Sequence, residues 1–228
     1  VIMKFSDDLP LMRSLPCVDL PTDERLILAS SSPRRAQLLD AAGYEFTVDP
    51  ASEAAECGIC SRETAPELVA RYAYRKAADV AERYDRGLIL SADTVASCRG
   101  QILGKPHDQD HAREILKTLS GTRHDVFTGV CLWSASSGKC VVDVTRTELQ
   151  MLSLSDEMLS SYLESMLWEG KAGAFGYQDG NDWLSVVGEG SESNVVGLPM
   201  ERLAEILAEF HAIAETIGIR KSDPPLES

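Results

Sequence analysis

The sequence predicts a mixed α/β fold, and three observations predict it. From Leu26 onward, short apolar runs alternate with segments whose apolar residues recur at helical spacing. The stretch from His124 to Leu152 breaks that rhythm and reads as two longer strands around Ser137-Gly138, an antiparallel hairpin. No internal repeat or low-complexity tract points to a solenoid or fibre. Alternation plus a long hairpin implies a sheet with both parallel and antiparallel pairs, flanked by helices.

The elements follow in order. Residues 1–24, with prolines at 10, 16 and 21, read as a loop-like N-terminal extension. Leu26, Ile27 and Leu28 form a short buried strand. Ser32 is a natural N-cap and Pro33 suits a first helical position, so a helix is expected up to Gly43. A second helix runs from Thr64 or Ala65 to Tyr84, with Val69, Tyr72, Ala73, Ala77 and Val80 on one face. Leu88 to about Ala96 is a strand, and "QILGKP" a further short strand and turn. Asp108 to Leu119 is a helix stopped by Ser120-Gly121. After the hairpin, Ser155 caps a helix to about Met166. "AGAFGYQ" and "DWLSVVGEG" read as short strands. Pro199 starts a last helix with Leu203, Ile206, Leu207, Phe210 and Ile213 inward, and the tail at 218–228 is expected to be disordered.

The 228 residues suit one large domain or two small lobes, here 25–217, and the 44% hydrophobic and 25% charged shares are those of a globular chain. The net charge of −14 makes general binding of nucleic acid or anionic membrane unfavourable, so a polyanion would need a local basic pocket. No apolar run approaches a membrane span, and no signal peptide is read at the N-terminus. Six scattered cysteines point to a reduced, cytoplasmic setting rather than a disulfide scaffold. Cys57-Gly58-Ile59-Cys60 is a CxxC without a second half, in a polar loop, and incidental thiols are the simpler reading.

Arg34 and Arg35 pose the sharpest question. In the first turn of a helix they oppose its dipole, at a cost of about 0.3–1 kcal/mol each. Either both lie in solvent, or an anion on the free N–H groups reconciles them. The second alternative predicts that removing them leaves the free protein as stable as before. Asp93 is read at the end of the buried strand, where a carboxylate either caps a turn or needs a partner. Lys76 lies on the apolar helix face and either snorkels to its edge or points into a cleft. Lys105, in Gly104-Lys105-Pro106, is either a phosphate hand on a stiff turn or an ordinary turn lysine. His107, His111 and His124 lack metal-ligand spacing. Four cations and the carboxylates Asp93 and Glu56 nevertheless form a set suited to a nucleotide phosphate and a hard divalent ion.

Eight pieces then come in order: "LASSSPRR" at 28–35, "FTVDP" at 46–50 with Glu56 following, Lys76 on its helix, "ADT" at 92–94, "ILGKPHD" at 102–108, "LSGTRHDVFTGV" at 119–130, "GKAGAFGYQ" at 170–178 and "SNVVGLP" at 193–199. Together they resemble the Maf family of nucleoside triphosphate pyrophosphatases. The resemblance implies an elongated α/β fold of two lobes around a central cleft. It implies hydrolysis of a triphosphate, dTTP or UTP by the "FGYQ" and "NVVGLP" pattern, to a monophosphate and pyrophosphate, with Mg²⁺ or Mn²⁺. Asp93 would accept the proton and share the metal with Glu56. Ser30, Ser32, Arg34, Arg35, Lys76 and Lys105 would hold the phosphates, and Arg34, Thr94 and Gln178 would set base choice. A homodimer is left open. Rival readings are a 7-methyl-GTP enzyme of the same family, a nucleotide-binding regulator of cell division without turnover, and a CxxC redox or metal module. The chain departs from the pattern at "SMLWEGKAGA", where Gly-Glu-Pro often precedes the lysine, and at Glu192, where tyrosine is common.

Overall fold

Leu26, Ile27 and Leu28 are all buried, so the strand they form has no polar face and must be covered on both sides. It is β1 (Leu26–Leu28), parallel to β2 (Phe46–Val48) and to the start of β3 (Leu88–Cys98). The computed structural model describes residues 15–20, 24–56, 62–188 and 190–220, the last ten through their backbone alone. The rest of β3 pairs antiparallel with β4 (Gln101–Leu103) and β5 (Arg123–Ser134). Then come β6 (Cys140–Met151) and β7 (Leu184–Val186), giving one seven-stranded sheet in the order β2-β1-β3-β5-β6-β7 with β4 on β3. The sheet is mixed, as the alternation and the hairpin imply.

Helices cover both faces. α1 (Pro33–Ala42) has proline in its first turn and ends at Gly43, whose φ of 89° lets its N–H reach back to Asp40 and Leu39. α2 (Ala65–Ala81) opens with a reciprocal Thr64–Glu67 capping box and buries Val69, Ala73, Ala77 and Val80. α3 (Gln109–Leu119) is capped by Asp108 and α4 (Asp156–Glu164) by Ser155. α5 (Glu192–Val196) and α6 (Met200–Arg220) close the described chain. On one face α1 and α6 pack Leu38, Leu39, Leu203 and Leu207 against Leu28, Leu90 and Leu132. Each fully buried leucine there contributes about 1.5–3 kcal/mol. On the other face α2 packs Ala73, Ala77 and Val80 against Ile27, Ile89 and Cys131. The small residues let α2 lie close. At Gly129 of β5 an added Cβ would stand 2.3 Å from the Val69 carbonyl oxygen, so the helix backbone rests on the strand itself.

Some expectations need correction. Residues 172–178 are not a strand. They form two 3-10 turns, Ala172–Ala174 and Tyr177–Asp179: Gly173 and Ala174 take φ of 73° and 59° and turn the chain at the first, and Gly180 at φ 74° ends the second. α5 was not foreseen, since five residues are too short to show a period. α2 stops at Ala81 rather than Tyr84, and β3 runs on to Cys98. Cys57, Cys60, the tail from 221, most of the N-terminal extension and the side chain of Ile213 lie outside the described residues.

His124 is one of the few polar side chains in the core. It is 3% exposed and meets Phe175 edge-on at 5.3 Å between ring centroids. Burial pulls its pKa down to about 4, against smaller opposing effects of Thr122 and Asp125. The unfolded chain protonates this imidazole near pH 6.5, so its stability contribution is complete above that and is lost as pH falls toward 4. Urea unfolding at pH 7 and pH 4 should show a loss of up to about 3 kcal/mol from this residue. His124→Phe should flatten that acid limb; an unchanged limb would place the loss elsewhere.

Candidate active site

β1 ends at Leu28, opposite Leu90, and β4 begins pairing only at Ala96. Between Leu90 and Ala96, one edge of β3 has no strand beside it among the described residues. Asp93 sits in that gap. It is therefore not at a strand end, as the sequence suggested, but in mid-strand where the neighbours have parted. Ser91 and Asp93 face α2, the first through a hydrogen bond to the Ala73 carbonyl, and Thr94 faces Arg35 of α1 and Gly197 at the end of α5. Both faces of one strand thus open into one cavity.

α2 delivers Lys76 to this gap. The lysine is 6% exposed, which excludes snorkelling. Its ammonium donates to Asp93 Oδ1 at 2.6 Å and to Glu56 Oε1 at 2.7 Å. Glu56 arrives from the opposite side on a 3-10 turn, Glu53–Glu56. Burial pushes the Glu56 carboxyl up, but its hydrogen bond to Lys76 and the charges of Lys76, Lys105 and Arg35 outweigh that and hold it below the usual range. Glu56 and Asp93 are hard oxygen donors brought to one point. Mg²⁺ is commonly held by one or two carboxylates together with substrate phosphates, so the pair fits such an ion. Among the described residues no group of three or more acidic, histidine or cysteine side chains gathers into an all-protein cage.

The N-terminus of α1 forms the next wall, through Ser30, Ser31, Ser32 and Arg34. Ser32 holds the N-cap position but its side chain makes no capping bond. Arg34 donates to the Gly170 carbonyl at 3.2 Å; burial lowers its pKa, against the charge of Asp179. Arg35 corrects the expectation that both arginines are idle without ligand. It is buried and donates to the Gly197 carbonyl at 2.8 Å, Ser30 Oγ at 2.9 Å and Thr94 Oγ1 at 3.1 Å. These bonds tie α1 to β3 and to the end of α5, and offset the unfavourable dipole. Burial lowers its pKa to about 10, against the charge of Asp93, so it is still charged at pH 7. Arg35→Ala should lower the stability of the ligand-free protein by about 2–4 kcal/mol, since it strands buried acceptors, while Arg34→Ala should cost under about 1 kcal/mol. Denaturant titration of the two variants checks this; equal stability would remove the strut role of Arg35.

Together these walls enclose a cavity of about 410 Å³, within the range of small-molecule sites. Arg34, Arg35, Lys76, Lys105 and Lys171 line it, against Glu56, Asp93 and Glu169. A chain of net charge −14 thus concentrates an excess of cations in one hollow. Gln178 also lines it, with its Nε2 buried and without a hydrogen-bond partner among the described residues. Thr94 bonds Arg35 and, at 2.9 Å, Thr128. The structure therefore brings together Ser30, Ser32, Arg34, Arg35, Glu56, Lys76, Asp93, Thr94, Lys105 and Gln178 around one hollow. Sequence reasoning missed Lys171, Gly170 and Gly197. A lysine inside a glycine- and alanine-rich stretch was the available signal for the first. The two glycine carbonyls act through backbone, which no side-chain pattern reveals.

The family model and the relatives agree with one another. The family model described as "Maf-like protein" matches residues 25–210. A dTTP/UTP pyrophosphatase of Rhodopirellula baltica is 69% identical over 211 residues, covering 92% of each chain. One of Methanococcoides burtonii is 41% identical over 187 residues, 82% of this chain and 95% of that protein. A HAM1 protein from Coxiella burnetii, among solved structures, shares 15% identity over 82% of this chain and 99% of that one at a TM-score of 0.46, too remote a likeness to add to the family match. With a family model spanning most of its length and a relative at 69% identity, this chain belongs to the Maf family.

Proposed function

We propose that the protein is a nucleoside triphosphate pyrophosphatase acting on dTTP and UTP, releasing the monophosphate and pyrophosphate in the cytoplasm. The observation that carries this reading is the convergence of Asp93 and Glu56 on the Lys76 ammonium, beside a helix N-terminus flanked by cations. The printed activity of the 69% identical relative supports the same choice.

In this reading the free N–H groups of α1, Ser30, Ser32 and Arg34 hold one end of the triphosphate, and Lys105 and Lys76 the other. Arg35 keeps the α1 terminus in place and adds its charge. Glu56 and Asp93 would hold Mg²⁺ or Mn²⁺, which when bound supplies charge to the α-phosphate. Asp93, held through Oδ1 by Lys76, receives the proton of the attacking water at Oδ2. Lys76 holds both carboxylates in place until substrate arrives. Gln178 offers its unpartnered amide to the base: uracil and thymine present a carbonyl next to an N3–H, which match an amide donor and acceptor. Thr94 acts on base choice through Arg35, which it orients.

A screen of natural and modified triphosphates with pyrophosphate detection tests the assignment. UTP and dTTP should lead in kcat/KM. CTP or 7-methyl-GTP as best substrate would overturn the base assignment, and release of orthophosphate alone would overturn the reaction.

A further inference from the structure

Gln178 is the one residue of its turn whose polar end is left without a partner among the described residues, and both of its neighbours are tied down. Tyr177 donates its hydroxyl to Glu192 Oε1 at 2.7 Å, which joins the turn to the start of α5. Asp179 accepts both from Lys171 Nζ, at 2.5 and 2.6 Å, and from Tyr162 at 2.8 Å. Tyr162 in turn accepts the Gly176 N–H at 3.2 Å and rests edge-on against Trp183. Gly176 has no room for a Cβ, which would stand 2.4 Å from the Asp179 carboxylate and the Lys171 ammonium. The Asp179 anchor is thus buried and sealed by backbone. The Tyr177 anchor is partly exposed and reaches across to α5, whose other end, Val195 to Gly197, lines the cavity.

We propose that Tyr177 and Glu192 are a positioning pair for base selection: their hydrogen bond fixes the Tyr177–Asp179 turn so that the Gln178 amide meets the pyrimidine edge in one orientation. The proposal rests on the base contact assigned to Gln178 above. A turn held only at Asp179 can rotate about the Gly176 side and offer the amide donor or the acceptor indifferently. Uracil and cytosine differ in just that respect at positions 3 and 4 of the ring. Loss of the pair therefore erodes discrimination rather than chemistry.

The test measures kcat and KM for UTP and for CTP with the parent, Tyr177→Phe, Glu192→Ala, Glu192→Gln and Gln178→Leu. Tyr177→Phe and Glu192→Ala should each lower the UTP-to-CTP ratio of kcat/KM by about five- to twentyfold, with the loss falling on KM for UTP. Glu192→Gln keeps an acceptor for the hydroxyl and should recover most of the ratio. If Gln178→Leu collapses the ratio while Tyr177→Phe and Glu192→Ala keep it, the positioning pair is refuted and the base contact stands. If Gln178→Leu keeps the parent's ratio, the base contact itself fails and the pair has nothing to position. A uniform fall in kcat for both nucleotides with the ratio unmoved would mark the pair as structural and also overturn the proposal.

Discussion

Asp93→Asn is expected to fold as the parent does and to release pyrophosphate about 10²–10⁴ times more slowly. The amide is nearly isosteric, and its oxygen can still accept from Lys76, so the bond at 2.6 Å has a replacement. Glu56 stays on the same ammonium. What disappears is the negative charge and the ability to receive a proton. Nucleotide binding through Arg34 and Lys105 does not depend on that charge, so UTP should still raise the melting temperature of the variant. If Asp93→Asn turns over within about tenfold of the parent, Asp93 is not the base, and Glu56 becomes the next candidate.

The second large effect lies in the fold beneath the site. Gly129 stands directly across from Asp93 in the β3–β5 register, on the face that α2 covers. A Cβ there would meet the Val69 carbonyl oxygen at 2.3 Å, its carbon at 2.5 Å and the Ala70 nitrogen at 2.8 Å. All three are backbone, so no side chain can swing aside. α2 must lift, and Lys76 sits two turns further along the same helix. Overpacking of this kind costs about 1–3 kcal/mol or more. A shift of about 1 Å at a reacting group can cost about 10²-fold in rate. Gly129→Ala should therefore lower both melting temperature and kcat/KM. Gly104→Ala, where no atom lies within 4 Å of the added Cβ, is the control for stability. A Gly129→Ala protein that matches the parent in both measurements would mean that α2 is not seated by this glycine.

Much of the fold was legible because it is locally specified. Pro33 and Gly43 bracket α1 by their own φ preferences, and the apolar face of α2 announces its helix over four turns. The hairpin between β5 and β6 declares itself by length and by Gly138, whose φ is 68°. The misread stretch, 172–178, carries the same apolar and aromatic residues as a strand. Its first turn has positive φ at Gly173 and Ala174, which composition does not reveal. The candidate site was legible as a set of residues and not as an arrangement. Lys76, Asp93 and Glu56 are far apart in the chain, and nothing local says that one ammonium gathers both carboxylates. The role of Arg35 was misjudged for the same reason. The helix dipole is a local rule, whereas the carbonyl of Gly197 that offsets it lies 162 residues further along the chain. The Lys171–Asp179 pair escaped because its partners sit eight residues apart at two different short turns, where no periodicity applies.

The central claim is that water, activated at Asp93, attacks the α-phosphorus and expels pyrophosphate. Hydrolysis of UTP in ¹⁸O-labelled water, with mass spectrometry of both products, tests it most directly. Attack at the α-phosphorus places one ¹⁸O atom in UMP and none in pyrophosphate. Label in pyrophosphate, or UDP and orthophosphate as the products, would contradict it.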